Sequence, residues 1–191
     1  LASVVLLVFF YKPIFHANNV YFETHGDGLQ VYYNSIYHLK YDTSFLYQSN
    51  MNYPYGESVM FTAAQPFVLF PLDILGLENY TVGVTNLLML FSIPISALFI
   101  CLVFKECEQK GYWPVFLSVG IAFLSPQIFR LDSHYTLTYQ FAIPAMMWLL
   151  LKFYKNGSYK ASFIIGLFVF LLASIHLYFF GFFIELGAFF Y

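Results

Sequence analysis

Long uncharged apolar runs, separated by short polar links, make up most of the chain. They include LASVVLLVFF, NLLMLFSIPISALFICLVF and ASFIIGLFVFLLASIHLYFF. These runs are too long and too uncharged for core helices of a soluble protein, because a membrane-spanning helix needs ~20 mostly apolar residues. They also lack the strict alternation of membrane β-strands. The pattern predicts an all-α fold, a polytopic transmembrane helical bundle.

The runs place five spans in a single transmembrane domain over residues 1–191. We expect the spans at about 1–15, 81–104, 112–129, 137–153 and 161–184, with a long outer loop at 16–80 that carries interfacial helices. The first run is shorter than a full span and the last is still apolar where the sequence stops. We therefore interpret the chain as a piece of a longer membrane protein. A signal peptide is the weaker interpretation, because no basic segment precedes the first run.

The lysines predict an orientation. The links KECEQKG and KFYKNGSYK carry five of them, whereas the opposite face has only Lys12, Lys40 and Arg130. The positive-inside rule then places these two links in the cytoplasm. The long loop and the turn RLDSHYTL share the outer face, which brings Asp27 and Asp132 to the same side of the membrane.

The long loop holds a second kind of pattern. DGLQVYYNSIYHLK has Leu29, Tyr33 and Ile36 at helical spacing, which predicts an amphipathic interfacial helix with Asp27 as its candidate N-cap. NYPYGE predicts a turn against which neighbouring tyrosines pack. QPFVLFPLDILGL is apolar but too short and too rich in proline to cross a membrane.

Asp27 is the first candidate for chemistry. It lies between two glycines, so a ligand could approach the backbone closely while the carboxylate acts as a general base or metal ligand. The alternative is that it only caps the following helix. Glu23 and His25 could join Asp27 around a divalent metal ion, but such short spacings are common in polar loops, so these residues are weak metal candidates.

A second cluster is the R-x-D-x-H of Arg130, Asp132 and His134. Placing charges this close to the hydrocarbon of the membrane costs free energy unless they form ion pairs or bind a ligand. Arg130 could bind a phosphate and Asp132 could orient a ligand, or the two could simply form an interfacial ion pair. Within the last apolar run, His176 and Glu185 are expected to be buried polar residues of a structural kind.

Several function classes are excluded. The chain has no P-loop, nucleophile elbow or HExxH motif. Its net charge of −2 gives no footprint for nucleic acid. Cys101 and Cys107 are spaced for neither a metal pair nor a redox motif. Among the many aromatic residues, Tyr53 and Tyr55 are the best candidates for contacting a sugar.

The segments HGDGLQVYYNSIYH, MNYPYGESVMFTAAQP and SPQIFRLDSHYTLTYQFAIP, together with the predicted layout, resemble the GT-C superfamily of integral membrane glycosyltransferases. The resemblance implies a polyprenyl-phosphate-linked sugar donor and transfer on the outer face of a bacterial plasma membrane. By position, Asp27 matches the acidic residue of the first loop, and Asp132 matches the second-loop acidic position of some members. Many members carry a paired acidic motif, which this chain lacks, so a divalent metal ion is only a possible cofactor.

In this reading Asp27 and Asp132 are the catalytic carboxylates. The substrate-binding candidates are Arg130, His134, Lys40, Tyr53 and Tyr55. The membrane lipid and the lipid-linked sugar are the expected partners. The alternatives are a transporter or lipid flippase, whose ionisable residues should line a path at mid-membrane, and a non-catalytic membrane assembly subunit.

Overall fold

The computed structural model describes residues 1–62, 64–132 and 134–190, apart from the side chain of Asp132. The α-helices are α1 (Ala2–Phe15), α2 (Gly26–Tyr41), α3 (Pro66–Ile74), α4 (Thr81–Glu106), α5 (Trp113–Phe123), α6 (Ala142–Asn156), α7 (Tyr159–Ile175) and α8 (Tyr178–Phe189). Two short antiparallel strands, β1 (Tyr47–Gln48) and β2 (Glu57–Ser58), form a hairpin. Five 3-10 helices cover Ala17–Asn19, Val59–Phe61, Glu78–Tyr80, Pro126–Asp132 and Tyr135–Leu137. The predicted all-α class is confirmed for this part of the chain.

Two helical stretches of the described chain are long and apolar enough to cross a membrane. They cover Glu78–Glu106, with 29 residues, and Trp113–Leu131, with 19. Helices α1, α7 and α8 are apolar but shorter. Length and composition thus support two membrane crossings. The other three spans of the predicted five-span bundle have no such support in the described part of the chain.

Helix α4 is the central element, and α1, α5 and α6 pack against it. Leu90, Ile93 and Ala97 of α4 form one buried cluster with Leu6 of α1 and Ala122 of α5. The two alanines allow the helix backbones to approach closely, as small residues do between helices in membranes. This packing makes α4 the frame on which the long loop is fixed.

Asn86 of α4 attaches the start of the long loop to this frame. Its Nδ2 atom donates hydrogen bonds to the carbonyl oxygens of Ala17, at 2.8 Å, and Val20, at 2.6 Å. Its Oδ1 atom accepts a hydrogen bond from the hydroxyl of Tyr32 in α2. Burial raises the pKa of Tyr32, which therefore remains a neutral donor. One buried amide thus sets the position of both the loop entrance and α2.

Helix α2 forms where the sequence predicts an amphipathic helix, but it buries a different face. Leu29 and Tyr33, expected on the apolar face, are 44% and 56% exposed. The buried positions instead include Val31, Tyr32 and Ser35. This face packs against α4, where Val31 and Tyr32 join an apolar cluster with Val82 and Met89 and Tyr32 also donates a hydrogen bond to Asn86. Tertiary contacts therefore decide the rotation of the helix.

The predicted fifth span is broken into two helices. Helix α7 ends at Ile175, and His176 adopts an extended conformation with φ −157° and ψ 127°. The Nδ1 atom of His176 accepts a hydrogen bond from the backbone N–H of Tyr178, at 3.2 Å, where α8 begins. This contact supplies a partner for one of the free N–H groups at the start of α8. His176 therefore marks a junction rather than the interior of a span.

Candidate functional site

Asp27 lies inside the first turn of α2, and it is not the N-cap. The helix begins at Gly26, His25 occupies the N-cap position, and no side chain there makes a capping hydrogen bond. The capping role predicted for Asp27 is therefore wrong. Its carboxylate is 64% exposed, at the helix end where a negative charge is favoured by the helix dipole.

Asp27 faces His134, which follows the 3-10 helix Pro126–Asp132. The Oδ2 atom of Asp27 and the Nδ1 atom of His134 are 3.6 Å apart, with the His134 side chain 43% exposed. This distance is too long for a hydrogen bond, and an exposed ion pair of this kind contributes little to stability. The structure thus brings Asp27 next to His134 of the R-x-D-x-H cluster. Both side chains remain accessible to a ligand.

The two residues line a cavity of about 260 Å³. Its walls come from α2, the middle of the long loop, the turn after α5 and the α7–α8 junction. The lining residues are Asp27, Gln30, Val31, Met51, Phe61, Thr62, His134, Thr136 and His176. Carboxylate, imidazole, hydroxyl and amide groups thus converge here from segments distant in the sequence.

His176 is the site residue that sequence reasoning missed. The sequence does mark His176 as a polar residue within an apolar run, but this pattern was interpreted above as a buried structural residue. The pKa of His176 is lowered, first by burial and then by the nearby charge of His134. Glu185, predicted to be buried with it, is exposed on α8. The structure therefore assigns these two polar residues to different environments.

A second, mainly apolar cavity adjoins the first. It measures about 170 Å³ and shares Phe61 and His176 with the polar cavity. Its remaining walls are Met60, Ile175, Leu177 and Tyr178. Phe61 and His176 thus lie where a polar cavity adjoins an apolar one.

Glu23, His25 and Asp27 do not converge on one point. The Nδ1 atom of His25 lies 3.2 Å from the Oγ1 atom of Thr24, and Asp27 faces His134. The Glu23 carboxylate packs over the buried Gly28, where an added Cβ would lie 2.8 Å from its Oε2 atom. Among the described residues, no group of three histidine, cysteine or acidic side chains is arranged to hold a metal ion.

The other candidate cations do not line the cavity. Lys40 lies at the far end of α2, roughly 20 Å along the helix from Asp27 at 1.5 Å per residue. Arg130 is exposed on the 3-10 helix that leads to His134. The side chain of Asp132, the second predicted carboxylate, lies outside the described part of the structure.

Tyr53 and Tyr55 lie in the turn between β1 and β2 and are 88% and 82% exposed. Tyr47, not these two, packs over the turn, where its ring covers Gly56 and its hydroxyl donates to the carbonyl of Tyr55. The structure therefore does not bring Tyr53 and Tyr55 to the cavity. They are free to contact a ligand or the membrane surface outside it.

The two basic links meet each other. Glu106, at the end of α4, lies 3.4 Å from the Nζ atom of Lys155 and 4.0 Å from that of Lys152, both on α6. The links after α4 and α6 therefore lie together, as expected if both face the same side of a membrane.

The family described as "Domain of unknown function (DUF6311)" matches residues 1–190. The chain belongs to this family. The comparison with curated proteins gave no match, and the comparison with solved structures gave none.

Proposed function

We propose that the protein is a membrane glycosyltransferase that takes a sugar from a polyprenyl-phosphate-linked donor on the outer face of a bacterial plasma membrane. One observation supports this most: the exposed Asp27 carboxylate lies 3.6 Å from His134 at a cavity with polar walls. Asp27 makes no capping hydrogen bond, so its contribution to the helix is limited to the interaction of its charge with the helix dipole. The resemblance to GT-C enzymes supplies the substrate class.

In the proposed reaction, Asp27 accepts the proton of an acceptor hydroxyl. The hydroxyl oxygen forms a bond to the anomeric carbon of the sugar while the bond from that carbon to the phosphate oxygen breaks. The electron pair of the broken bond leaves with the polyprenyl phosphate. General-base assistance of this kind requires the carboxylate within hydrogen-bond reach of the hydroxyl. The exposure of Asp27 leaves room for that approach.

The departing phosphate gains negative charge, which a nearby cation or hydrogen-bond donor stabilises. His134 is the best-placed residue because it lines the cavity. Arg130, four residues earlier, would contact the phosphate from outside the cavity. The guanidinium fork of arginine suits two phosphate oxygens at once. Lys40 has no part in this step, because it lies at the opposite end of α2.

Charge placement favours an enzyme over a transporter or flippase. The two stretches able to cross a membrane carry charges only near their ends, at Glu78, Lys105, Glu106 and Arg130. A transport path would call for ionisable groups near the middle of such helices. The polar groups cluster instead beyond α5 and at the start of α2. An assembly subunit without catalysis predicts that loss of the Asp27 carboxylate leaves sugar transfer unchanged.

Sugar transfer can be tested although the identity of the sugar is not known. Membranes containing the protein in its full natural length would be supplied with a panel of synthetic polyprenyl-phosphate monosaccharides, and released polyprenyl phosphate would be quantified. Release that depends on the protein and falls sharply in Asp27→Asn supports the proposal. Equal release from wild type and Asp27→Asn, at equal protein abundance, would rule out the proposed role of this carboxylate.

A further inference from the structure

His176 stands at the boundary between the two adjoining cavities. This residue lines both the polar cavity of Asp27 and His134 and the apolar cavity of Ile175 and Tyr178. Each cavity alone is below the ~300–1,000 Å³ of ordinary ligand sites, whereas the two together fall within that range. Because the two cavities share Phe61 and His176, one ligand with a polar and an apolar part could extend past His176 into both.

The hydrogen bond from the Tyr178 N–H to the His176 ring defines which ring nitrogen is left for a ligand. A backbone N–H can only donate, so the Nδ1 atom that receives the Tyr178 N–H must be the unprotonated acceptor. The proton of the neutral ring is then on Nε2. Within the described residues, no group accepts a hydrogen bond from Nε2. The ring of Tyr178, 4.6 Å from the imidazole between centroids, further restrains its orientation.

The position of the His176 Nε2–H donor suits a phosphate ester of a hydrocarbon alcohol. A phosphate ester of a hydrocarbon alcohol has acceptor oxygens next to its first apolar carbons. A hydrogen-bond donor for such a group is therefore expected where polar walls give way to apolar ones. His176 occupies this position, with His134 as a nearby group that becomes cationic when protonated.

We propose that His176 binds the phosphate of a polyprenyl phosphate through Nε2–H, with the first isoprenoid units of the lipid in the apolar cavity. This inference rests on the proposed function and adds the residue that recognises the leaving group. His176 acts here as a ligand-binding residue, since it contacts the phosphate oxygen. The break between α7 and α8 places His176 at the boundary of the two cavities.

Two amide variants separate this binding role from the structural one. Asparagine places a polar group near the position of Nδ1, so His176→Asn can keep the bond from the Tyr178 N–H but lacks the distal donor. Glutamine reaches the position of Nε2, so His176→Gln keeps a donor for the phosphate. Both variants and wild type, in lipid nanodiscs, would be titrated with farnesyl phosphate, farnesol and inorganic phosphate. Thermal melting would report the fold of each.

Wild type is expected to bind farnesyl phosphate more tightly than farnesol or inorganic phosphate. His176→Asn should weaken farnesyl phosphate binding by about 10–100-fold, the loss of one hydrogen bond to a charged group, and His176→Gln by less than about 10-fold. Equal binding by wild type and a folded His176→Asn would overturn the inference. So would an equal loss in both variants, equal affinity for inorganic phosphate, or absence of farnesyl phosphate binding to wild type. The Asp27→Asn release assay judges the glycosyltransferase proposal separately.

Discussion

The Nδ1 atom of His134 lies 3.6 Å from the Oδ2 atom of Asp27. This relationship joins the first turn of α2 to the segment that connects α5 with α6. Neither side chain is buried, and such an exposed pair adds at most about 1 kcal/mol to stability. The pair is therefore better suited to binding or chemistry than to holding the fold together.

Asp27→Asn should reduce turnover by roughly 10²–10⁴-fold, the usual effect of losing a general base. Protein abundance should remain unchanged, because Asp27 makes no capping hydrogen bond. The measurement is released polyprenyl phosphate per molecule of membrane-inserted protein. The matched control is Asp73→Asn, an exposed carboxylate of α3 that does not line the cavity. A drop in abundance with unchanged turnover per molecule would assign Asp27 a structural role instead.

Tyr53→Cys and Tyr159→Cys should be labelled from opposite sides of the membrane. The lysine asymmetry places the long loop outside and the link before α7 inside, and both positions are highly exposed, at 88% and 97%. A membrane-impermeant thiol reagent on spheroplasts should label only the first variant, in a background where Cys101 and Cys107 are replaced by serine. Permeabilised cells provide the control, in which both should react. Labelling of both in intact spheroplasts would refute the orientation.

Asn86→Ala should lower the free energy of unfolding by about 1–3 kcal/mol per buried group left without a partner. The substitution removes the donor to the carbonyl oxygens of Ala17 and Val20 and the acceptor for Tyr32. Denaturant titration in detergent would measure the change. Ser96→Ala on the same helix is the control, because its buried hydroxyl has no hydrogen-bond partner among the described residues. Equal stability of the two variants would contradict the anchoring role.

Gly28→Ala should destabilise the protein by about 1–3 kcal/mol, as overpacking does. An added Cβ would lie 2.8 Å from the Tyr135 hydroxyl and 2.9 Å from the Cβ atom of Glu23. Gly120→Ala on α5 is the control, since no atom lies within 4 Å of the added Cβ. That change should be neutral or stabilising by up to about 1 kcal/mol. The melting temperatures of the two variants would be compared in the same detergent. An unchanged melting temperature for Gly28→Ala would contradict the prediction and would show that Glu23 and the Tyr135 side chain move to make room for the added Cβ.

Acid should destabilise wild type relative to His176→Asn. Burial, with the charge of His134, lowers the folded-state pKa of His176 below its ordinary value of 6.5. As the pH falls through 6.5, His176 therefore takes up a proton in the unfolded chain before it does so in the folded protein. The free energy of unfolding that is present above pH 6.5 decreases as the pH falls further. Asp27 and His134 also line the cavity, so the informative quantity is the difference between the two proteins in pH-dependent melting. A constant difference between pH 5 and pH 8, roughly the range in which histidine titrates, would contradict the shift.

The sequence determined the helical class and the approximate positions of most helices. In long uncharged runs, a helix satisfies its backbone hydrogen bonds within the segment, so composition and length are sufficient to predict it. The strongest case is α4, expected at 81–104 and found at Thr81–Glu106. The periodicity of the loop likewise predicted α2. These are local properties, and they require no knowledge of neighbouring elements.

Only the tertiary structure decided which face of α2 is buried and which polar residues meet. Contacts with α4, among them the hydrogen bond from Tyr32 to Asn86, fix the rotation of α2, and with this rotation Asp27 lies beside His134. His176 joined the cavity because its side chain and backbone end one helix where the next begins. Each result depends on contacts between residues distant in the chain. Hydrophobic periodicity within one segment does not encode these contacts, because they depend on which side chains of other segments lie opposite, such as Val82, Asn86 and Met89 of α4.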